Sequence, residues 1–298
     1  MDRLHLMSVF VAVAEEEGFS GGSRRLGMSP PAVTRAIAAL EDHLRVKLFN
    51  RTTRYVRMTE AGYRYLEDAR RVIAAADEAD EAAAGINAEP HGQIVVTASV
   101  LFGRLYVIPG IVDYMKRHPA MDVSTLFVDR VVNMLEEGVD VAIRIGHLPD
   151  SSYRAQRVAS VRRVVCASPE YLAAHGIPQS PEELSAHQII LARGLNPTGE
   201  IRFIKDDSPL TVKVKPRLVT DIDSAITAAV NGLGITNLIS YQIVNQLAEG
   251  SLKLILSEFE PPSTPVHIMH CEGRYTSAKI RTFIDLMAER LRAEASLN

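Results

Sequence analysis

The chain has 298 residues, 47% of them apolar and 23% charged, with a formal net charge of −3. That length suits two domains or slightly more, and the apolar fraction is enough to bury real cores. An acidic balance argues against indiscriminate nucleic-acid binding, no apolar run approaches the roughly 20 residues of a membrane span, and the start runs into Glu15, Glu16 and Glu17 too early for a signal peptide. A cytoplasmic protein with no membrane partner is expected.

Residues 3–17 predict a first helix, with Leu6, Phe10, Val13 and Ala14 as its apolar stripe. FSGGSRRLG predicts a short second helix, capped by Ser20 and stopped at Gly27. Ser29 is placed to cap a third, with Pro30 and Pro31 in its first turn, where a missing N–H breaks no bond. Val33, Ile37, Leu40 and Leu44 recur at steps of four, three and four and so share a buried face. Pro31, Arg35 and Ala38 point the other way, flanked by Thr34. A small, polar and basic N-terminal half suits entry into a DNA major groove.

VKLFNRTTRYVRMT follows, two short extended runs around the basic turn NRTTR. In this wing, Lys47 is placed to meet phosphate, and Arg51, Thr53 and Arg54 to meet phosphate or a narrow minor groove. From Arg24 to Arg57 the bases are Arg24, Arg25, Arg35, Arg45, Lys47, Arg51, Arg54 and Arg57, against only Glu41 and Asp42. A local basic patch on an acidic chain favours docking at one face.

Thr59 is placed to cap a long helix ending at Gly85, about 39 Å at 1.5 Å per residue. Leu66, Ala69, Ile73, Ala76 and Ala83 form a thin heptad-like seam, interrupted by Asp80, which predicts a partner helix. NAEPHGQ reads as a hinge, with Pro90 and Gly92 as breakers. Beyond Gln93, strand-like runs (QIVVTA, DVSTLFV, VDVAIRIG, VRRVVCAS, QIILA, ITNLIS, SLKLIL, VHIMHCE) alternate with helical ones, including VVNMLEEG, PEYLAAHG and DIDSAITAAVNGLG. The alternation predicts α/β architecture with largely parallel sheets.

In such sheets ligands sit beyond the carboxyl ends of strands. That rule selects Ser99 and Val100, the stretch from Arg144 to His147, Arg193, and Thr220 with Asp221. Ser99 and Thr220 can hydrogen-bond a carboxylate, and Arg144 or Arg193 can pair with it, but caps and surface ion pairs explain the same residues. Cys166 and Cys271 read as buried free thiols. His267 and Cys271 share one strand face while His270 points away, and no acid completes a metal site. No metal, cofactor or catalytic residue is expected: there is no nucleophile elbow and no Gly-rich phosphate loop, so the chain does not read as an enzyme.

FSGGSRRLGMSPPAVTRAIAALEDHL with VKLFNRTTRYVRMTEAG closely resembles the winged helix-turn-helix of LysR-type transcriptional regulators. LFGRLYVIPGIVDYMKRHP, EEGVDVAIRIGHLPDSS and RRVVCASPEYLAAHG resemble that family's effector domain. Gly21 and Gly22 stand where the family usually has small helix formers. The resemblance implies a winged helix-turn-helix over residues 1–58, a linker and dimerisation helix with hinge over 59–89, and an effector domain over 90–298. Two α/β lobes like those of a periplasmic binding protein are implied: lobe one at 90–162 plus 267–298, lobe two at 163–266, with crossings near Arg162–Val165 and Pro265–Ile268. The implied partners are double-stranded DNA with an interrupted palindrome, a small anionic effector between the lobes, and further copies of the chain in a homodimer or tetramer. The alternatives are an architectural DNA protein, or an α/β ligand-binding or enzymatic module with an idle helix-turn-helix. A high ratio of specific to nonspecific DNA affinity separates a regulator from the first.

Overall fold

The computed structural model describes residues 2–51, 56–84, 89–146, 148, 153–195, 198–271 and 277–297. The chain divides into two compact units, residues 1–88 with 275–278, and residues 89–274 with 279–298.

The first unit contains α1 (Arg3–Glu15), α2 (Phe19–Arg25), α3 (Pro30–Leu44), the strands β1 (Phe49–Arg51) and β2 (Val56–Met58), and α4 (Glu60–Ala84). Val9, Phe10 and Val13 of α1 meet Val33, Ile37 and Leu40 of α3 in one core, all fully buried. At about 1.5–3 kcal/mol for each large side chain, that face outweighs the intrinsic helix propensity of so short a segment. Gly18, not Ser20, occupies the cap position of α2, and Ser20 lies inside the helix. Gly27 follows in the left-handed conformation (φ 61°) and turns the chain towards α3. A Cβ on Gly22 would come within 2.8 Å of the Val13 side chain, so the missing side chain is what lets α2 lie close against α1. β1 and β2 pair antiparallel, Phe49 opposite Met58, as a wing.

The second unit begins with β3 (Gly92–Ala98) and a long helical segment: α5 (Val100–Phe102), a π-helical turn (Gly103–Val107) and α6 (Ile108–Arg117). There follow β4 (Met121–Phe127), β5 (Val141–Ile145), β6 (Tyr153–Val161), β7 (Arg163–Ala167), α7 (Pro169–His175) and β8 (Ile189–Ala192). Then come β9 (Glu200–Lys205), β10 (Ser208–Lys213), β11 (Pro216–Thr220), α8 (Ile222–Val230), β12 (Ile235–Ile239) and α9 (Val244–Ala248). β13 (Lys253–Ile255), β14 (Thr264–Cys271) and α10 (Ala278–Ala293) complete it.

Two five-stranded sheets result, ordered β4-β3-β5-β14-β6 and β11-β8-β12-β7-β13. Each is mixed: three parallel strands, then one reversed strand (β14 or β7), then an edge strand (β6 or β13) that runs with the first three. The chain passes from the first sheet to the second at Arg162, between β6 and β7, and returns before Thr264, ahead of the 265–268 segment expected from sequence. VVNMLEEG forms a turn, not a helix: Glu137 accepts from the Asn133 N–H at 3.1 Å and from Arg130, local bonds that compete with a helical backbone. The β9–β10 hairpin, invisible to periodicity, turns on Asp206 and Asp207, both at positive φ.

Candidate functional site

Two places in the chain concentrate unspent polar chemistry. The first is the outer face of α3. Ser29 occupies the cap position, but its side chain makes no capping bond, leaving the hydroxyl available. Ser29, Pro30, Pro31, Thr34 and Arg35 are all exposed, while Val33, Ala36 and Ile37 between them are buried. The face is therefore presented by a helix whose opposite side is fixed in the core.

Lys47, expected at phosphate, is paired within its own unit. Its ammonium, 71% exposed, lies 2.8 Å from the Glu41 carboxylate, which is 2% exposed. Glu41 also accepts from the Leu48 and Phe49 backbone N–H groups at 2.9 and 3.2 Å, so it fastens the start of the wing to the end of α3. Burial pushes its pKa up, but Lys47 and the two N–H groups outweigh burial and hold the carboxyl below its ordinary value. The backbone of Arg51 ends β1, whereas Thr53, Arg54 and the Arg51 side chain lie outside the described residues.

The second place is a cavity of about 550 Å³ between the two sheets of the second unit. Its lining includes Ser99, Arg144 and Gly146 from lobe one, and Arg163, Leu195 and Tyr241 from lobe two. Of the residues selected from sequence, Ser99 and the stretch from Arg144 to Gly146 reach it and four do not. Val100 is exposed, and its N–H donates to the Asp129 carboxylate at 3.0 Å. Arg193 is exposed, tied to Thr220 only through backbone. Asp221 caps α8, accepting from the Ser224 N–H at 2.9 Å, and the Thr220 hydroxyl donates to Asp221 at 3.4 Å. Both residues serve the start of α8 and neither lines the cavity, although their neighbour Ile222 does. His147 lies outside the described residues.

Among the described residues four arginines line the cavity, and two are already neutralised: Arg130 pairs with Glu137 at 2.6 Å and Arg162 with Glu260 at 2.7 Å. Among the described residues, Arg144 and Arg163 have no carboxylate within ion-pair distance. Arg144 holds loop carbonyls at Arg130 and Val132 through long bonds of 3.3 and 3.5 Å. Arg163, which sequence reasoning missed, donates from one arm to the Leu195 carbonyl at 3.0 Å, while its buried Nη1 has no hydrogen-bond partner. Burial pushes its pKa down, and so does Arg202, against the influence of Tyr241. The Ser99 Oγ is also buried without a well-formed hydrogen bond, although it approaches the Tyr241 hydroxyl. Two unsatisfied buried donors and a cation without a carboxylate partner among the described residues give the cleft the chemistry to accept an anion.

No group of three or more His, Cys, Asp or Glu among the described residues can hold a metal. Cys166 is buried, and burial pushes its thiol up to about 12, which keeps it inert.

A helix-turn-helix with a wing, followed by a two-lobed unit with a cleft between its sheets, is the architecture of a ligand-responsive transcriptional regulator. Residues 4–63 match the bacterial regulatory helix-turn-helix proteins of the lysR family, and residues 87–292 match the LysR substrate binding domain. The chain is 31% identical to the transcriptional regulator CrgA of Neisseria meningitidis serogroup B, over 96% of each protein. It is 29% identical to the transcriptional activator AaeR of Escherichia coli K12, over 97% of this chain and 94% of AaeR. The solved structure of CrgA from Neisseria meningitidis superposes with a TM-score of 0.62 at 30% identity, over 96% of this chain and 98% of CrgA. The full-length virulence activator AphB of Vibrio cholerae shares the fold, with a TM-score of 0.61 at 24% identity over 97% of this chain and 99% of AphB. The chain belongs to the LysR-type transcriptional regulators: it is a DNA-binding regulator with a substrate-binding effector domain.

Proposed function

We propose that α3 reads the major groove of an interrupted palindromic operator through Ser29, Pro31, Thr34 and Arg35, with Pro30 shaping the entry and the wing strands bracketing the backbone. The exposed, basic face of a helix locked into its own core supports this reading. Lys47 contributes charge only in part, because Glu41 holds it. The protein acts in the cytoplasm, without enzymatic activity, as a homodimer or a tetramer made of two dimers.

The dimer contact on α4 needs revision at residue level. Leu66 (7% exposed) and Ala69 (0%) are buried in the core of their own unit and are not free for a partner. Exposed Val72 and half-buried Ile73 and Ala76 are the apolar residues of the expected seam region left for a second copy.

The cleft between the lobes takes a small anionic effector, and the observation that carries this is the buried Arg163 guanidinium, which lines the cavity with its Nη1 lacking a hydrogen-bond partner and with no carboxylate within ion-pair distance among the described residues. The test of the regulator reading is selection of DNA from a random duplex pool by the full chain, followed by footprinting. Enrichment of a two-fold symmetric site with a central gap is expected. Recovery of sequences without a shared motif would overturn the reading in favour of an architectural role.

A further inference from the structure

The proposed effector cleft divides into a polar corner and an apolar wall. In the corner are Ser99 from lobe one, and Arg163 and Tyr241 from lobe two. The Tyr241 hydroxyl interacts with both Ser99 and Arg163, which places the three groups together. Gln242 Nε2 donates to that hydroxyl at 3.4 Å, leaving the phenolic proton free to be given away. The corner thus offers the Arg163 Nη1, the Ser99 hydroxyl and the Tyr241 hydroxyl as donors. A carboxylate has two oxygens with about four lone-pair positions, so one carboxylate satisfies all three. Around the corner the lining is apolar, including Val128, Val161, Leu195, Ile222, Ile239 and Met269. Among the described residues Asp129 is the one acid in the lining, and its carboxylate already accepts from the Val100 N–H. Arg144 is occupied with loop carbonyls and lies in the field of Glu137, so no described residue of the lining calls for a second charge on the ligand.

Resting on the reading of this cleft as the effector site, we infer that the effector is a monocarboxylate with a compact apolar body, and that Arg163 is the residue that selects its head group. Sugars and polyols find an apolar wall that leaves their hydroxyls unpaired. Dicarboxylates find no donor set for the second charge except one already engaged. Neutral isosteres leave the Arg163 guanidinium as uncompensated as the empty cleft does.

The test is thermal unfolding of the full chain with three probes: cyclohexanecarboxylate, its neutral amide, and succinate. At about 10 mM the carboxylate is expected to raise Tm by roughly 2–5 °C, with the amide and succinate giving less than a third of that shift. Arg163→Met should unfold no earlier than wild type without ligand, because it removes an unpaired buried charge, and should lose the carboxylate response. Arg193→Met, outside the cleft, should keep it. If Arg163→Met does not fold, Ser99→Ala decides: it must weaken the shift several-fold. Equal shifts from the acid and the amide, an unresponsive wild type, a larger shift from succinate, or a full response in Arg163→Met or Ser99→Ala would each overturn the inference. None of these results bears on DNA recognition, which footprinting of the same preparations reads separately, so failure here and failure of the regulator reading are distinguishable.

Discussion

Glu41 offers the sharpest test of how the DNA-reading unit is held together. Its carboxylate is buried, accepts two backbone N–H groups from the start of the wing, and pairs with Lys47. Replacing Glu41 with Ala strands the Leu48 and Phe49 amides in a buried site, at about 1–3 kcal/mol each. The Lys47 ammonium, largely in water, loses little. A total of roughly 2–6 kcal/mol follows, a large share of the 5–15 kcal/mol that stabilises a typical domain. Lys47→Ala removes only the exposed partner and should cost about 0–1 kcal/mol. Hydrogen exchange at α1 and α3 amides reads this unit apart from the effector unit, which bulk unfolding would not. Specific DNA affinity should fall at least in proportion, since the wing is no longer fixed to α3. The pH dependence has a definite sign. The folded carboxyl is held below its ordinary value, so its contribution is complete above the ordinary carboxylate range and is lost as pH falls through the folded value. The gap between wild type and Glu41→Ala should therefore be widest near neutrality and narrow in acid. A cost under about 1 kcal/mol, or equal costs for Glu41→Ala and Lys47→Ala, would refute the reasoning.

Arg35→Ala should weaken specific DNA binding by about 1–3 kcal/mol and relax the preference at one base position, with the fold intact; an unchanged footprint and affinity would remove Arg35 from the interface. Val72→Asp should split the dimer without unfolding the monomer, as sedimentation at micromolar concentration would show, whereas Ile73→Asp, packed against the unit's own core, should cost stability as well. Gly62→Ala gains about 1 kcal/mol of helix propensity, yet the new Cβ would meet the Leu48 carbonyl oxygen at 2.2 Å, so a net loss of roughly 1–2 kcal/mol is expected in the same exchange experiment.

How much of this was visible beforehand depended on whether one physical reason or two could explain a pattern. The four-three spacing of Val33, Ile37 and Leu40 has one explanation, a buried helix face, and the structure buries it. The similar spacing of Leu66 and Ala69 fits a partner helix or the unit's own core equally well, and only packing against α1 decides for the core. Thr220 and Asp221 follow a strand and precede a helix, where capping and ligand binding use the same chemistry. The observed bonds favour capping, since Asp221 accepts from the Ser224 N–H and neither residue lines the cavity, although their neighbour Ile222 does. Arg163 gave no signal, since it opens a strand as a plain component of VRRVVC. Its importance comes from β12 pairing beside β7, Ile239 opposite Arg163, which delivers Tyr241 to the same corner.

The division of the polar corner between lobes bears directly on regulation. A ligand shifts a conformational equilibrium only by the difference in its affinity for the two states. A molecule held by one lobe alone binds open and closed forms alike and changes nothing, however tightly it binds. The carboxylate proposed here would be shared: Ser99 belongs to lobe one, Arg163 and Tyr241 to lobe two. A head group held by Arg163 and Tyr241 therefore gains the Ser99 bond only as the lobes approach. Opposing this are ties that already hold the lobes without ligand, such as Arg104–Asp223 at 3.3 Å between their helices, with both side chains more than half exposed and so weak. A shift from 1:99 to 99:1 requires about 5.5 kcal/mol of differential binding. The bond that discriminates is the one from Ser99, about 1.5–3 kcal/mol when charge-assisted, which biases the equilibrium roughly 10–150-fold without completing that swing, whereas apolar contact with a wall that is already formed does not discriminate between states. Removing the carboxylate from an effector should on this argument abolish its regulatory effect even where binding survives, and an amide that binds and still switches DNA occupancy would show that the lobes are closed by something other than the head group.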